Sequence, residues 1–141
     1  MAANEALKSL HTSLIDAQKG YDEAIKDAQA PEMASFFEKM SALHMRAHEE
    51  VDAILLERGE IPDESGSFMS MVHKTVISVR SAITGLDRSS LSSFADGEKR
   101  LVGLYDEAIA ENRDDAATVA ELQQSRSELL GMIAQMEAKA A

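Results

Sequence analysis

The chain has no cysteine and no tryptophan. It therefore makes no disulfide, holds no thiolate nucleophile, and binds neither zinc nor an iron–sulfur cluster through sulfur. Aromatic residues are only 4% of the 141 positions, so any core must be aliphatic, built from Leu, Ile, Val, Met and Ala. Several of those residues favour helix. Proline occurs twice, at Pro31 and Pro62, both where the pattern calls for a turn. No apolar run approaches the roughly 20 residues that span a bilayer, and Met1 to Lys8 lacks the charged-then-apolar layout of a secretory leader. Basic residues are also scarce. Fourteen Lys and Arg face twenty-five Asp and Glu, a formal charge of −11. Such a surface repels phosphate backbones and anionic lipid, so neither nucleic acid nor a membrane is expected as a partner. The expected location is the cytoplasm.

What is present is helical periodicity. Hydrophobic residues make up 45% of the chain and charged residues 28%, the balance of one folded domain. Leu7, Leu10, Leu14, Ala17, Tyr21, Ala24 and Ala28 recur at steps of three and four and predict a helix over 5–28. Pro31 stops it and opens a second helix over 31–58, with Glu32 at its positive end and Gly59 just past its last turn. So short a connection makes the two helices antiparallel. A polar loop from Gly59 to Ser67 precedes a shorter helix over 68–84, stopped by Gly85. Its stripe leaves Met69, Met71 and Ile77 to one side, a surplus apolar surface that predicts an interface and a homodimer. After a serine-containing turn the pattern resumes over 91–111 and, beyond a turn at Asn112–Asp115 with Asp114 or Asp115 as cap, over 115–138. The fold expected is all-α: an up-down four-helix bundle of two antiparallel hairpins, with a shorter fifth helix in the crossover. Tyr21-Asp22-Glu23-Ala24-Ile25 recurs as Tyr105-Asp106-Glu107-Ala108-Ile109, which reads as a duplicated hairpin.

Polar residues interrupt the apolar stripes at matching heights. Glu98 stands in the line Leu91, Phe94, Leu101, Tyr105; His44 and His48 share a face of the second helix; Arg126 lies on the stripe of the last, with Glu128 beside it. Gln18 and His44 lie 12 and 14 residues either side of Ala30, while Glu98 is 15 before Arg113 and Arg126 and Glu128 are 13 and 15 after it. At about 1.5 Å of rise per residue these groups fall within a turn of one another in each hairpin. A buried polar layer of Gln18, His44, Glu98 and Arg126 is expected, joined by His48 and Glu128 if the hairpins stack in register. An inward carboxylate must be paired, protonated or bound to a cation. Glu98 is thus either the partner of Arg126 or a histidine, or a metal ligand together with His44, His48 and Glu128. His44 and His48, one turn apart, could also hold a single zinc or nickel ion.

This layout resembles the ferritin-like superfamily. The likeness is greater still to a family of small bacterial proteins filed within it as a domain of unknown function. Gly20-Tyr21, Gly59 with Pro62, Ser65-Gly66-Ser67, and Gly97-Glu98 with Tyr105 carry that likeness over nearly the whole chain. The superfamily holds two metal ions with a carboxylate from each of two helices and a Glu-x-x-His pair from each of the other two. Here Gln18 stands where a glutamate is wanted. Ser41 and Met45 occupy the glutamate places before His44 and His48, and Gly131 the histidine place after Glu128. The resemblance thus implies a degraded centre, no resident cofactor, no enzyme activity, and a structural or protein-interaction role. The alternative is an iron- or manganese-binding protein with an oxidase or iron-handling role. No zinc-protease motif, phosphate-binding glycine loop or dinucleotide fingerprint is present.

Overall fold

A computed structural model describes residues 2–28, 31–62 and 88–140. Among them are four helices and no strand: α1 (Ala2–Asp27), α2 (Pro31–Glu57), α3 (Arg88–Glu111) and α4 (Ala116–Ala140). The boundaries follow the punctuation of the sequence. Pro31 opens α2, and Gly59 closes it at φ 78°, a left-handed conformation that side chains with a Cβ resist. The amides of Glu60 and Gly59 turn back to the carbonyls of Leu55 and Leu56, at 2.9 and 3.0 Å, and satisfy two of the carbonyls the helix end leaves over. Asp115 caps α4: its carboxylate accepts from the Thr118 amide at 3.2 Å and the Thr118 hydroxyl at 2.8 Å. These bonds, and then Arg58, hold the Asp115 carboxyl below its ordinary value. At α3 the expectation needs correcting. The helix already runs from Arg88, so Ser89 and Ser90 belong to it and not to a turn before Leu91. The expected helix over 68–84, with Met69, Met71 and Ile77, lies outside the described residues.

The apolar stripes meet in one core. Leu7, Leu10, Leu14 and Ala24 from α1 and Phe37, Met40, Val51 and Leu55 from α2 pack with Leu91, Leu101 and Ala108 from α3 and Leu122, Leu129 and Met136 from α4. α1 packs against α2 and α3, and α4 against α3 and α2, so α1 faces α4 and α2 faces α3 across the diagonals. Asn112 at the end of α3 reaches the Ala3 carbonyl at the start of α1, while Tyr21 near the other end of α1 reaches Glu98. α1 and α3 are therefore antiparallel. Across the diagonal, His44 meets Glu98 and Arg58 meets Asn112, both at a separation of 54 residues, so α2 and α3 are parallel and in register. The helices thus run up, down, down, up, and α2 ends at the opposite end of the bundle from the start of α3.

One end is tied by Arg58. Its guanidinium donates to Asn4 of α1 at 2.9 Å, to Asn112 after α3 at 2.8 Å and to the α4 cap Asp115 at 2.8 Å. The Asn112 amide in turn donates to the Ala108 carbonyl at 2.7 Å. A planar fork with several donors suits a place where helix ends converge. It fixes the register that brings the polar residues of the interior to one level.

Candidate functional site

About midway along the bundle the apolar core is interrupted by Tyr21 from α1, His44 from α2 and Glu98 from α3. Glu98 is 3% exposed, and Tyr21 and His44 are each 1% exposed. One carboxylate oxygen, Oε1, accepts from the Tyr21 hydroxyl at 2.6 Å and from His44 Nε2 at 2.9 Å. Phe94 stacks on the Tyr21 ring with centroids 4.9 Å apart, Phe37 lies 5.7 Å away at a tilt, and His44 lies against the ring as well. The aromatic wall keeps water from the hydrogen bonds and strengthens them. Burial pushes the Tyr21 hydroxyl well above its ordinary range, and the neighbouring Glu98 charge and its hydrogen bond push it further. Tyr21 therefore keeps its proton and donates. The second carboxylate oxygen, Oε2, is buried with no hydrogen-bond partner among the described residues.

The sequence-predicted residues divide. His44 and Glu98 come together, and the inward carboxylate takes a histidine, not Arg126. Arg126 turns outward and donates from Nε to Asp106 at 2.7 Å; its long side chain, 34% exposed, reaches past the edge of the stripe. Gln18 is half-buried and Glu128 exposed, so neither reproduces the buried layer expected of them. His48 departs from His44 as well. Residues four apart on a helix differ by some 40° in direction, enough to send His44 into the core and His48 to the seam between α1 and α2.

At that seam stands a group the sequence reading missed. His11 of α1 is 1% exposed, and its Nε2 lies 3.1 Å from Asp52 Oδ1 of α2. The His11 and His48 rings lie with centroids 4.6 Å apart, tilted by 51°. One ligand atom from each of His11, His48 and Asp52 falls within 4.8 Å of the others. The signal was there to be found. His11 follows Leu7 by four and precedes Leu14 by three, a histidine set directly in an apolar stripe. A further polar contact that the spacing did not signal joins the buried Ser41 hydroxyl to the exposed Asp22 carboxylate at 2.5 Å.

Fold and site together define a class: an antiparallel helical bundle in which, among the described residues, one carboxylate lies in the interior, held by a tyrosine and a histidine from two other helices. Residues 2–111 match the family described as a domain of unknown function (DUF2383), and the chain belongs to that family. The matched stretch contains α1, α2 and α3 and every residue of the Glu98 and His11 groups; Arg126 and Glu128 fall beyond it. Neither the curated proteins nor the solved structures hold a match to the chain. Among the described residues, no helix is long and apolar enough to cross a membrane.

Proposed function

We propose that this chain is a ferritin-like bundle acting as a non-catalytic structural or protein-interaction module, its metal centre reduced to a hydrogen-bonded carboxylate. The observation that carries the reading is the closure of Glu98: Tyr21 and His44 both donate to its Oε1. Of the set a di-metal site needs, this centre keeps one carboxylate and one imidazole. The up-down-down-up order supports the ferritin-like assignment, since that superfamily places its single long connection between the second and third bundle helices. The proposal includes a crossover helix over 68–84 and a homodimer formed through Met69, Met71 and Ile77. Light scattering on Met71→Asp and Ile77→Asp should find folded monomers; unchanged assembly would remove that interface.

One atom favours a second reading, a di-iron or di-manganese protein with an oxidase or iron-handling role. Glu98 Oε2 is buried and has no hydrogen-bond partner among the described residues, as a carboxylate kept for a cation would be. Metal analysis of protein from iron- and manganese-supplemented cultures separates the two. Protein free of both metals supports the closed centre. Stoichiometric iron or manganese that disappears in Glu98→Gln overturns it.

A further inference from the structure

His11 comes from α1, and His48 and Asp52 stand four residues apart on the facing side of α2, the spacing that puts two side chains on one helix face. A tetrahedral ion with ligands at about 2.0–2.2 Å keeps neighbouring ligand atoms roughly 3.3–3.6 Å apart. His11 Nε2 and Asp52 Oδ1, at 3.1 Å, already stand near that separation. Within a group spanning 4.8 Å, a turn of the His48 imidazole closes the triangle. His11 and both ring nitrogens of His48 are buried, while the Asp52 side chain is 20% exposed, so water reaches the group on the carboxylate side.

We infer that the α1–α2 seam is a mononuclear site for a divalent cation of the zinc class, held by His11, His48 and Asp52 with the fourth position open to water. Two imidazoles and one carboxylate suit zinc and its neighbours and not the oxygen-seeking calcium or magnesium. The chain's charge of −11 draws cations toward it. The ion takes the place of the proton shared between His11 Nε2 and Asp52 Oδ1, and that proton leaves to solvent. The site uses no residue of the Glu98 centre and so stands apart from the function proposed above.

The test is titration of the untagged, full-length chain with Zn²⁺ by calorimetry, with Co²⁺ as a spectroscopic substitute. One Zn²⁺ per chain is expected, with a Tm that climbs with zinc concentration and a visible Co²⁺ band of four-coordinate intensity. Asp52→Asn and His48→Gln should each weaken binding at least about tenfold while circular dichroism remains that of the parent, and Glu98→Gln should bind as the parent does. Absence of Zn²⁺ binding and of the Co²⁺ band overturns the site, as does undiminished affinity in a folded Asp52→Asn. Binding lost in Glu98→Gln but kept in Asp52→Asn places the ion at the centre and overturns the closed-centre reading too. Should both seam variants unfold, Glu98→Gln decides: a Co²⁺ band kept at parental intensity there leaves the ion at the seam, and its loss overturns the site.

Discussion

Tyr21 and Tyr105 open the same five-residue string in two helices, and both are buried, yet their surroundings differ. Tyr21 gives its hydroxyl to a carboxylate inside the bundle. The offset of 84 residues that carries Tyr21 to Tyr105 carries Leu14 to Glu98 and His44 to Glu128. Leu14 is wholly buried and Glu128 is exposed. The two hairpins thus share a pattern of packing but not of chemistry. A carboxylate is tolerated inside only where donors converge on it, and among the described residues they converge on one side of the bundle alone. The other side solves the same position with a leucine.

The sharpest way to break that contrast is to remove the acceptor. Glu98→Ala leaves the Tyr21 hydroxyl and the His44 N–H buried without it, at about 1–3 kcal/mol each. Together with the vacated volume this should lower stability to urea by about 3–5 kcal/mol. Replacing the whole cluster, with Glu98→Leu, His44→Leu and Tyr21→Phe together, should recover most of that loss, because an apolar interior has no orphaned donor. It would also make the first side of the bundle resemble the second. If the triple variant is as unstable as Glu98→Ala, the cost lies in packing and the hydrogen-bonded account of the centre falls.

A smaller effect sharpens the comparison between the tyrosines. Tyr21→Phe removes one donor from Glu98 and should cost about 1.5–3 kcal/mol, the range for a hydrogen bond to a charged group. Tyr105→Phe should cost less, since among the described residues its hydroxyl serves no buried carboxylate. Both hydroxyls are raised, Tyr21 by burial and then Glu98, Tyr105 by burial and then Glu50. The sign follows from linkage. The unfolded chain releases each tyrosine proton near 10.0, while the folded chain holds it higher. Their stabilisation is complete below pH 10 and declines as pH rises above it. Urea midpoints measured between pH 8 and 11 should therefore fall at the alkaline end, and fall less steeply in Tyr21→Phe. A parallel decline in the variant would take Tyr21 out of the alkaline response.

Much of this frame was legible from residue spacing. Pro31, Gly59 and Asp115 mark helix boundaries because each meets a backbone need that few other residues meet. Glu98 lies inward as its stripe requires. What spacing could not supply was direction around the helix. Counting residues from the turns set the heights of His44, His48, Arg126 and Glu128, but height is indifferent to the 40° that parts His44 from His48. Nor does it weigh the reach of a long side chain at the margin of a stripe. The diagonal pairing of α2 with α3, which brings His44 to Glu98, depends on the order up, down, down, up, and hairpin periodicity is the same for either order. His11 was passed over for another reason: a stripe of leucines reads as core even when one of its places is polar.

Arg126 offers the smallest and most discriminating measurement. Periodicity puts it on the buried stripe, where its charge would neutralise Glu98 and its removal would cost as much as removing Glu98. In the structure it pairs with Asp106 at the surface, the two side chains 34% and 56% exposed. An ion pair so open to solvent contributes little, because water and salt screen the attraction and holding both side chains in place costs entropy. Arg126→Ala should therefore shift stability by no more than about 1 kcal/mol, and by less as salt is added. A loss of the size expected for Glu98→Ala, insensitive to salt, would return Arg126 to the interior. Glu98 would then be a buried ion pair with a third donor, and the contrast between a one-sided polar centre and an apolar counterpart would dissolve.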